Sequence, residues 1–226
     1  MFGRKRFTKA DNRDAALLAG IGRAVSERLQ ADPGAYRLPV EGLEIWGFAD
    51  FFSADECQRL IGIVDTVARP SPTYNNNKDG GRTSYSGDVD PNDPFIRMLQ
   101  RRIDDLLGLE PGMGETIQGQ RYAVGQEFRA HFDHFNTTAS YWEKELARGG
   151  QRSWTAMAYL NDVEDGGSTD FPRVSVSVPP QRGALLAWNN MNPDGTPNPL
   201  SLHAGTPVKD GTKYVLTKWY RAHAWR

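Results

Sequence analysis

Among its 226 residues the chain holds a single cysteine, Cys57. A disulfide framework within the chain is therefore excluded, and so is a cysteine-rich zinc or iron–sulfur site. Histidine is scarce as well: His131, His134, His203 and His223 are the full set. Neither sign of charge dominates, since 27 Lys+Arg against 28 Asp+Glu give a formal charge of -1. No global basic field exists to hold nucleic acid, and no acidic excess marks a disordered chain. Long apolar runs are missing too. The basic start MFGRKRFTKADNRD is followed by AALLAGIGRAVSERL, which Arg23, Ser26 and Glu27 interrupt. That run is a poor secretory signal and too short and polar to span a bilayer. The expectation is a cytoplasmic protein with neither nucleic acid nor membrane as partner. Phosphate-cradling loops of the GxGxxG and GxxxxGK[ST] types are also absent.

What is present reads as helices first and strands later. Apolar spacing predicts a helix over 14–30, and Asp32-Pro33-Gly34 ends it. LEIWGF, residues 43–48, reads as a strand. Ser53 and Glu56 form a capping box that opens a helix through about Ala68, with Cys57 one turn before Ile61 and so read as buried. A further helix is expected over 94–108. Between these lies the longest polar, turn-rich stretch, 69–93, with Asn75-Asn76-Asn77 and Gly80-Gly81 to give hinge freedom. A loop of that length suggests a mobile lid over a binding site. The second half reads as strands over 116–124, 126–135, 153–162, 173–179, 183–188 and 212–221, punctuated by glycine, proline and Asx residues. The expected fold is mainly β with packed N-terminal helices (α+β), a cupin-like jelly roll. Residues 1–115 would support a core formed by 116–226 within one globular unit. The apolar stripes of the N-terminal helices leave room for a homodimer.

The most informative string is His131-Phe132-Asp133. In a strand, residues i and i+2 share a face, so imidazole and carboxylate would project together while Phe132 turns away. His203 follows 72 residues later, beside another expected strand. Two histidines and one carboxylate make the facial triad of a non-haem Fe(II) centre, with open positions for a bidentate cosubstrate and O₂. The short H-x-D string also occurs by chance. By strand parity His134 faces away, and His223 reads as solvated. Lys213, ten residues after His203, could supply a fixed cation for the far carboxylate of a 2-oxo diacid. Tyr122 and Thr169 could donate hydroxyls to the same carboxylate. Core packing for Tyr122 and a turn hydroxyl for Thr169 are the plainer alternatives.

From about residue 116 to 222 the chain resembles the catalytic domain of the prolyl 4-hydroxylases, Fe(II)- and 2-oxoglutarate-dependent dioxygenases on a double-stranded β-helix. The resemblance is carried by RYAVGQEFRAHFDHF, TAMAYLNDVEDGGSTDFP and GALLAWNNMNPDGTPNPLSLHAGTPVKDGTKYVLTKWYR, in order. WGFADFFSADECQRLI and RTSYS (82–86) are similar to the family's lead-in and to its mobile substrate loop. The resemblance implies that His131, Asp133 and His203 bind Fe(2+). It implies that Lys213 pairs with the C5 carboxylate of 2-oxoglutarate, assisted by Tyr122 and Thr169. Trp219, Arg152 and Arg82 would contact the substrate, while Trp188 and Asn190 would shape the pocket unless they simply pack. L-ascorbate is implied as a supporting reductant.

Two positions depart from the family. Phe128 stands where a tyrosine is common, which keeps an aromatic wall and loses a hydroxyl. Arg221 stands where peptidyl enzymes often carry histidine near the substrate. It is expected to add positive charge at the entrance and so to favour an acidic residue beside the target proline. The implied activity is hydroxylation of a peptidyl proline at C4, with succinate and CO₂ released. The same chemistry on a free amino acid or other small molecule is one alternative. A non-catalytic, cupin-like metal-binding sensor is another.

Overall fold

The computed structural model describes residues 11–71 and 81–226. Four α-helices are present among the described residues. They are α1 (Ala15–Ala31), α2 (Ala54–Val67), α3 (Pro94–Leu107) and the short α4 (Trp142–Ala147). The capping box at the start of α2 is complete: Ser53 accepts from the Glu56 N–H, and the Glu56 carboxylate accepts from the Ser53 N–H. Asp93 caps α3, Pro94 opens it, and Gly108 ends it in the left-handed conformation. Glu56 also receives both terminal nitrogens of Arg102, at 2.6 and 3.0 Å, which ties α2 to α3.

In chain order the strands are β1 (Tyr36–Arg37), β2 (Ile45–Phe48), β3 (Arg69–Pro70), β4 (Tyr85–Asp88), β5 (Gln118–Tyr122), β6 (Phe128–His131) and β7 (Arg152–Tyr159). They continue with β8 (Asp165–Gly166), β9 (Thr169–Phe171), β10 (Val176–Val178), β11 (Leu185–Asn189), β12 (His203–Gly205), β13 (Val208–Asp210) and β14 (Lys213–Arg221). The large sheet runs β1-β2-β11-β7-β14-β5-β4-β3, and the small sheet runs β10-β9-β12-β6. The two sheets face each other as the double-stranded β-helix the sequence suggested.

Strand periodicity gives the large sheet two different faces. Trp154, Leu185, Leu216 and Tyr220 pack against the helices, together with Leu60 and Leu99. Met157, Trp188 and Val215 turn the other way and meet Phe171 of the small sheet. Helix α2 lies so close that a Cβ on Gly119 would fall 2.5 Å from Val64. Only glycine permits that approach. In the same layer Lys218, Asp104 and Tyr220 form a buried hydrogen-bonded cluster that anchors α3 to β14.

The stretch 69–93 is not one loop. Its flanks form a hairpin, with β3 on β4 and β4 on β5. Residues 81–83 then cross to the small sheet: Thr83 N–H donates to Glu127 O at 3.0 Å and Arg129 N–H to Gly81 O at 2.9 Å. Among the described residues, 69–70 and 81–88 thus find backbone partners on both sheets, which the turn-rich composition concealed. Asn75–Asn77 and Gly80 lie outside the described residues.

Candidate active site

Between the sheets lies a cavity of about 390 Å³, lined by residues of β5, β7, β11 and β14 on one side and β6, β9 and β12 on the other. His131 ends β6 and His203 begins β12, and the two are directly paired in register. Asp133 does not belong to a strand. β6 stops at His131 and Asp133 sits in the bend that follows. The two side chains still converge, at 3.8 Å from His131 Nε2 to Asp133 Oδ1. His203 Nε2 lies 3.6 Å from Asp133 Oδ2. What replaces strand parity is a hydrogen-bond chain across the cavity. Asn190 Nδ2 donates to Thr155 Oγ1 at 2.9 Å, and Thr155 donates to Asp133 Oδ2 at 2.7 Å.

Each imidazole has its Nδ1 2.9 Å from a backbone carbonyl, Arg129 O for His131 and Ser201 O for His203. A carbonyl only accepts, so each Nδ1 carries the proton and each Nε2 presents a lone pair. Burial drives the pKa of His131 down to about 3, with His203 adding to the effect. Burial works against ionisation of Asp133. His203, His131, Arg152 and the Thr155 hydroxyl outweigh it and hold the carboxyl below its ordinary range. This buried carboxylate faces the Nε2 atoms of both imidazoles. One oxygen and two nitrogens within 4.8 Å of one another, two neutral and one anionic, fit a divalent first-row metal on one open face.

Further in, Lys213 is 3% exposed. Its Nζ lies 5.5 Å from the Tyr122 ring centre and 5.4 Å from that of Tyr159. Burial lowers its pKa to about 7, against a weaker opposing effect of Asp170. It forms no ion pair among the described residues. Tyr122 donates to Gln120 Oε1 at 2.7 Å. Thr169 Oγ1 accepts from Tyr159 at 2.7 Å, which leaves the threonine its own proton to donate. The pocket therefore offers an uncompensated cation beside hydroxyl donors.

At the mouth, Trp219 lines the cavity and the Arg152 guanidinium lies 4.1 Å over its ring. Arg152 is gripped by Glu115, Nε to Oε1 at 2.6 Å and Nη2 to Oε2 at 2.8 Å. Trp188 lines the cavity against His203, with ring centres 4.9 Å apart. Phe128 also lines the cavity, whereas Arg82 is engaged by its own fold: Nε donates to Ser84 Oγ at 2.8 Å and Nη2 to Gln118 Oε1 at 3.1 Å.

Arg221 corrects an expectation. It is 2% exposed and adds no charge at the entrance. The pairing of β14 with β7 shifts register between Tyr220 and Arg221. Arg221 donates to Glu115 at 2.5 Å, Glu145 at 2.8 Å and Gly150 O at 2.7 Å. Arg152 and Arg221 thus share Glu115, and Arg221 also reaches Glu145. Glu145 belongs to α4, so Arg221 ties α4 to the end of β14. His134 stacks on Phe132, with ring centres 4.5 Å apart, and stays out of the ligand set. Thr155, Gln120 and Glu115 went unnoticed in the sequence. The one available signal was Thr155, a hydroxyl in the apolar run WTAMAYL that later proved fully buried.

Comparison with known proteins agrees with this geometry. The family model of the 2OG-Fe(II) oxygenase superfamily matches residues 117–221. Prolyl 4-hydroxylase 5 of Arabidopsis thaliana is 34% identical over 209 residues, covering 79% of this chain and 68% of that protein. Prolyl 4-hydroxylase subunit alpha-3 of Rattus norvegicus is 35% identical over 178 residues, 76% of this chain but 32% of that subunit. The 2OG complex of the viral collagen prolyl hydroxylase from Paramecium Bursaria Chlorella virus-1 superposes with a TM-score of 0.63 at 25% identity, covering 78% of this chain and 95% of the viral one. The chain belongs to the prolyl 4-hydroxylase-like family of 2-oxoglutarate- and Fe(II)-dependent oxygenases. It is an enzyme of that class, with His131, Asp133 and His203 as its facial triad. No helix among the described residues is long and apolar enough to cross a membrane.

Proposed function

We propose that this oxygenase hydroxylates proline within a peptide, at C4. The observation that carries the reading is the Trp219–Arg152 pair at the cavity mouth, next to the triad. A pyrrolidine ring is semi-rigid and apolar, and a flat indole face grips it without a polar partner. Arg152 sits where a guanidinium N–H can reach a peptide carbonyl. Glu115 holds that guanidinium in place before substrate arrives, which limits the ordering cost of binding.

Lys213 is assigned to the far carboxylate of 2-oxoglutarate, by a charge-assisted bond in a dry pocket. Thr169 adds its free proton to the same carboxylate. Tyr122 adds its own only after turning away from Gln120. His131, Asp133 and His203 are assigned to Fe(II), and Thr155 keeps the Asp133 carboxylate aimed. When bound there, Fe(II) with 2-oxoglutarate and O₂ supplies the oxidative decarboxylation and C–H hydroxylation that release succinate and CO₂. Trp188 and Phe128 keep water from the reacting centre. L-ascorbate is assigned the part of a supporting reductant.

Because Arg221 is neutralised inside the fold, it gives no preference for acidic sequences, and neutral prolyl peptides suit the mouth. The test is a panel of neutral and acidic prolyl peptides beside free L-proline, scored by product mass. Neutral peptides should gain one oxygen at least as readily as acidic ones. Robust hydroxylation of free proline with no peptide turnover would refute the peptidyl reading and leave the oxygenase class standing.

A further inference from the structure

We propose that Phe128 is a positioning residue that sets the plane of the metal-binding His131 ring, and that Arg82 secures Phe128 for that task. The two histidines are held very differently. His203 is 5% exposed, and its ring sits between Trp188 at 4.9 Å and Phe171 at 5.6 Å. His131 lies at the rim, with 22% of its side chain exposed. Its bond from Nδ1 to Arg129 O fixes one atom and leaves the ring free to swing about it. Phe128 removes that freedom. Its ring lies on the imidazole with centres 3.6 Å apart and planes 14° from parallel. A near-parallel contact of this kind fixes the plane, and with it the direction of the Nε2 lone pair.

Phe128 is itself fixed from the side of the large sheet. Arg82 is its bridge partner, and the Arg82 guanidinium lies 4.7 Å from the Phe128 ring centre. That guanidinium is locked in turn by Ser84 and by Gln118 of β5. A continuous path therefore runs from β5 through Arg82 and Phe128 to His131. The inference rests on the metal reading of the triad and not on the choice of substrate.

The experiment is titration of the purified protein with Co(II) alone, following the visible absorption of the bound ion. Loss of the ring in Phe128→Leu should raise the Co(II) Kd about three- to tenfold, the range an aromatic contact supplies, and should change the shape of the band. Phe128→Tyr should keep both close to the parent protein. Phe128→Met, flexible and of similar bulk, gives the same reading as leucine if the leucine variant does not fold. Arg82→Ala should raise Kd by a smaller factor and add nothing further in the Phe128→Leu background. An unchanged Kd and band in both Phe128→Leu and Phe128→Met would overturn the inference. So would Arg82→Ala keeping its full effect without the ring. His131→Ala separates the two levels. If it binds Co(II) like the parent, the metal reading falls; if it loses Co(II) while Phe128→Leu does not, only this inference falls.

Discussion

Replacing Lys213 by methionine should make the metal-free protein more stable while removing its grip on 2-oxoglutarate. The lysine is buried, has no ion-pair partner among the described residues, and titrates near 7 in place of its ordinary 10.5. At 1.36 kcal/mol for each factor of ten in proton affinity, that depression costs the fold on the order of 5 kcal/mol when the amine is charged. Water entering the open cavity screens part of this. The net gain expected for Lys213→Met is therefore about 2 to 3 kcal/mol. The pH dependence has a definite sign. Between about 7 and 10.5 the unfolded chain holds more protons than the folded one, so the parent protein gains stability as pH rises through that window. The advantage of the variant should be largest below pH 7 and shrink towards the upper end. Urea unfolding of both metal-free proteins at several pH values measures this, and calorimetry with metal and 2-oxoglutarate measures the lost binding. A variant less stable than the parent at low pH, or a gap that stays constant across the window, would refute the reasoning. Such a trade of stability for function is the usual mark of a binding group held in an unfavourable place.

Other perturbations probe the rest of the site. Thr155→Val removes the donor to Asp133 at almost constant volume, and metal affinity measured by titration should fall about 10- to 100-fold, as for other partners of metal ligands. Arg221→Met takes one cation from the Glu115 and Glu145 carboxylates, which keep Arg152 and Arg148, and should lower stability by about 1.5 to 3 kcal/mol in thermal or urea unfolding. The same substitution should leave the ratio of turnover on neutral and acidic peptides unchanged. Trp219→Ala should cut peptide hydroxylation far more than the substrate-free formation of succinate, both followed by product mass.

Local signals carried much of the fold into the sequence. The Ser53–Glu56 box and the Asp93-Pro94 start with Gly108 at the end are complete within one turn of chain, and those helices begin and end where expected. The long strands β7 and β14 were equally legible, because eight and nine residues give alternation room to repeat. Strands of two or three residues, such as β8 and β9, are shorter than any period. The triad's membership was readable from H-x-D and a later histidine. The cause of its convergence was not, because Asp133 left the strand and is aimed by Thr155, a residue 22 positions away. The fate of Arg221 was hidden for the same reason. Its partners Glu115 and Glu145 lie 106 and 76 residues distant.

Strand β14 has two unlike jobs on its two sides. Lys213, Val215, Thr217 and Trp219 line the cavity, while Lys218 and Tyr220 reach Asp104 in the helical layer. Sequence change of different kinds should therefore meet very different tolerance here. A point substitution disturbs one side only. A single inserted codon between Tyr214 and Thr217 would reverse the parity of part of the strand relative to its neighbours. If the downstream half kept its pairing, Lys213 would swing into the helix layer. If the upstream half kept its pairing, Trp219 would leave the mouth and the Lys218 ammonium would turn towards it. The first outcome empties the inner pocket and keeps the helix anchor, the second loses the mouth and the anchor together, so length variation among working relatives should be confined to the turns flanking this strand.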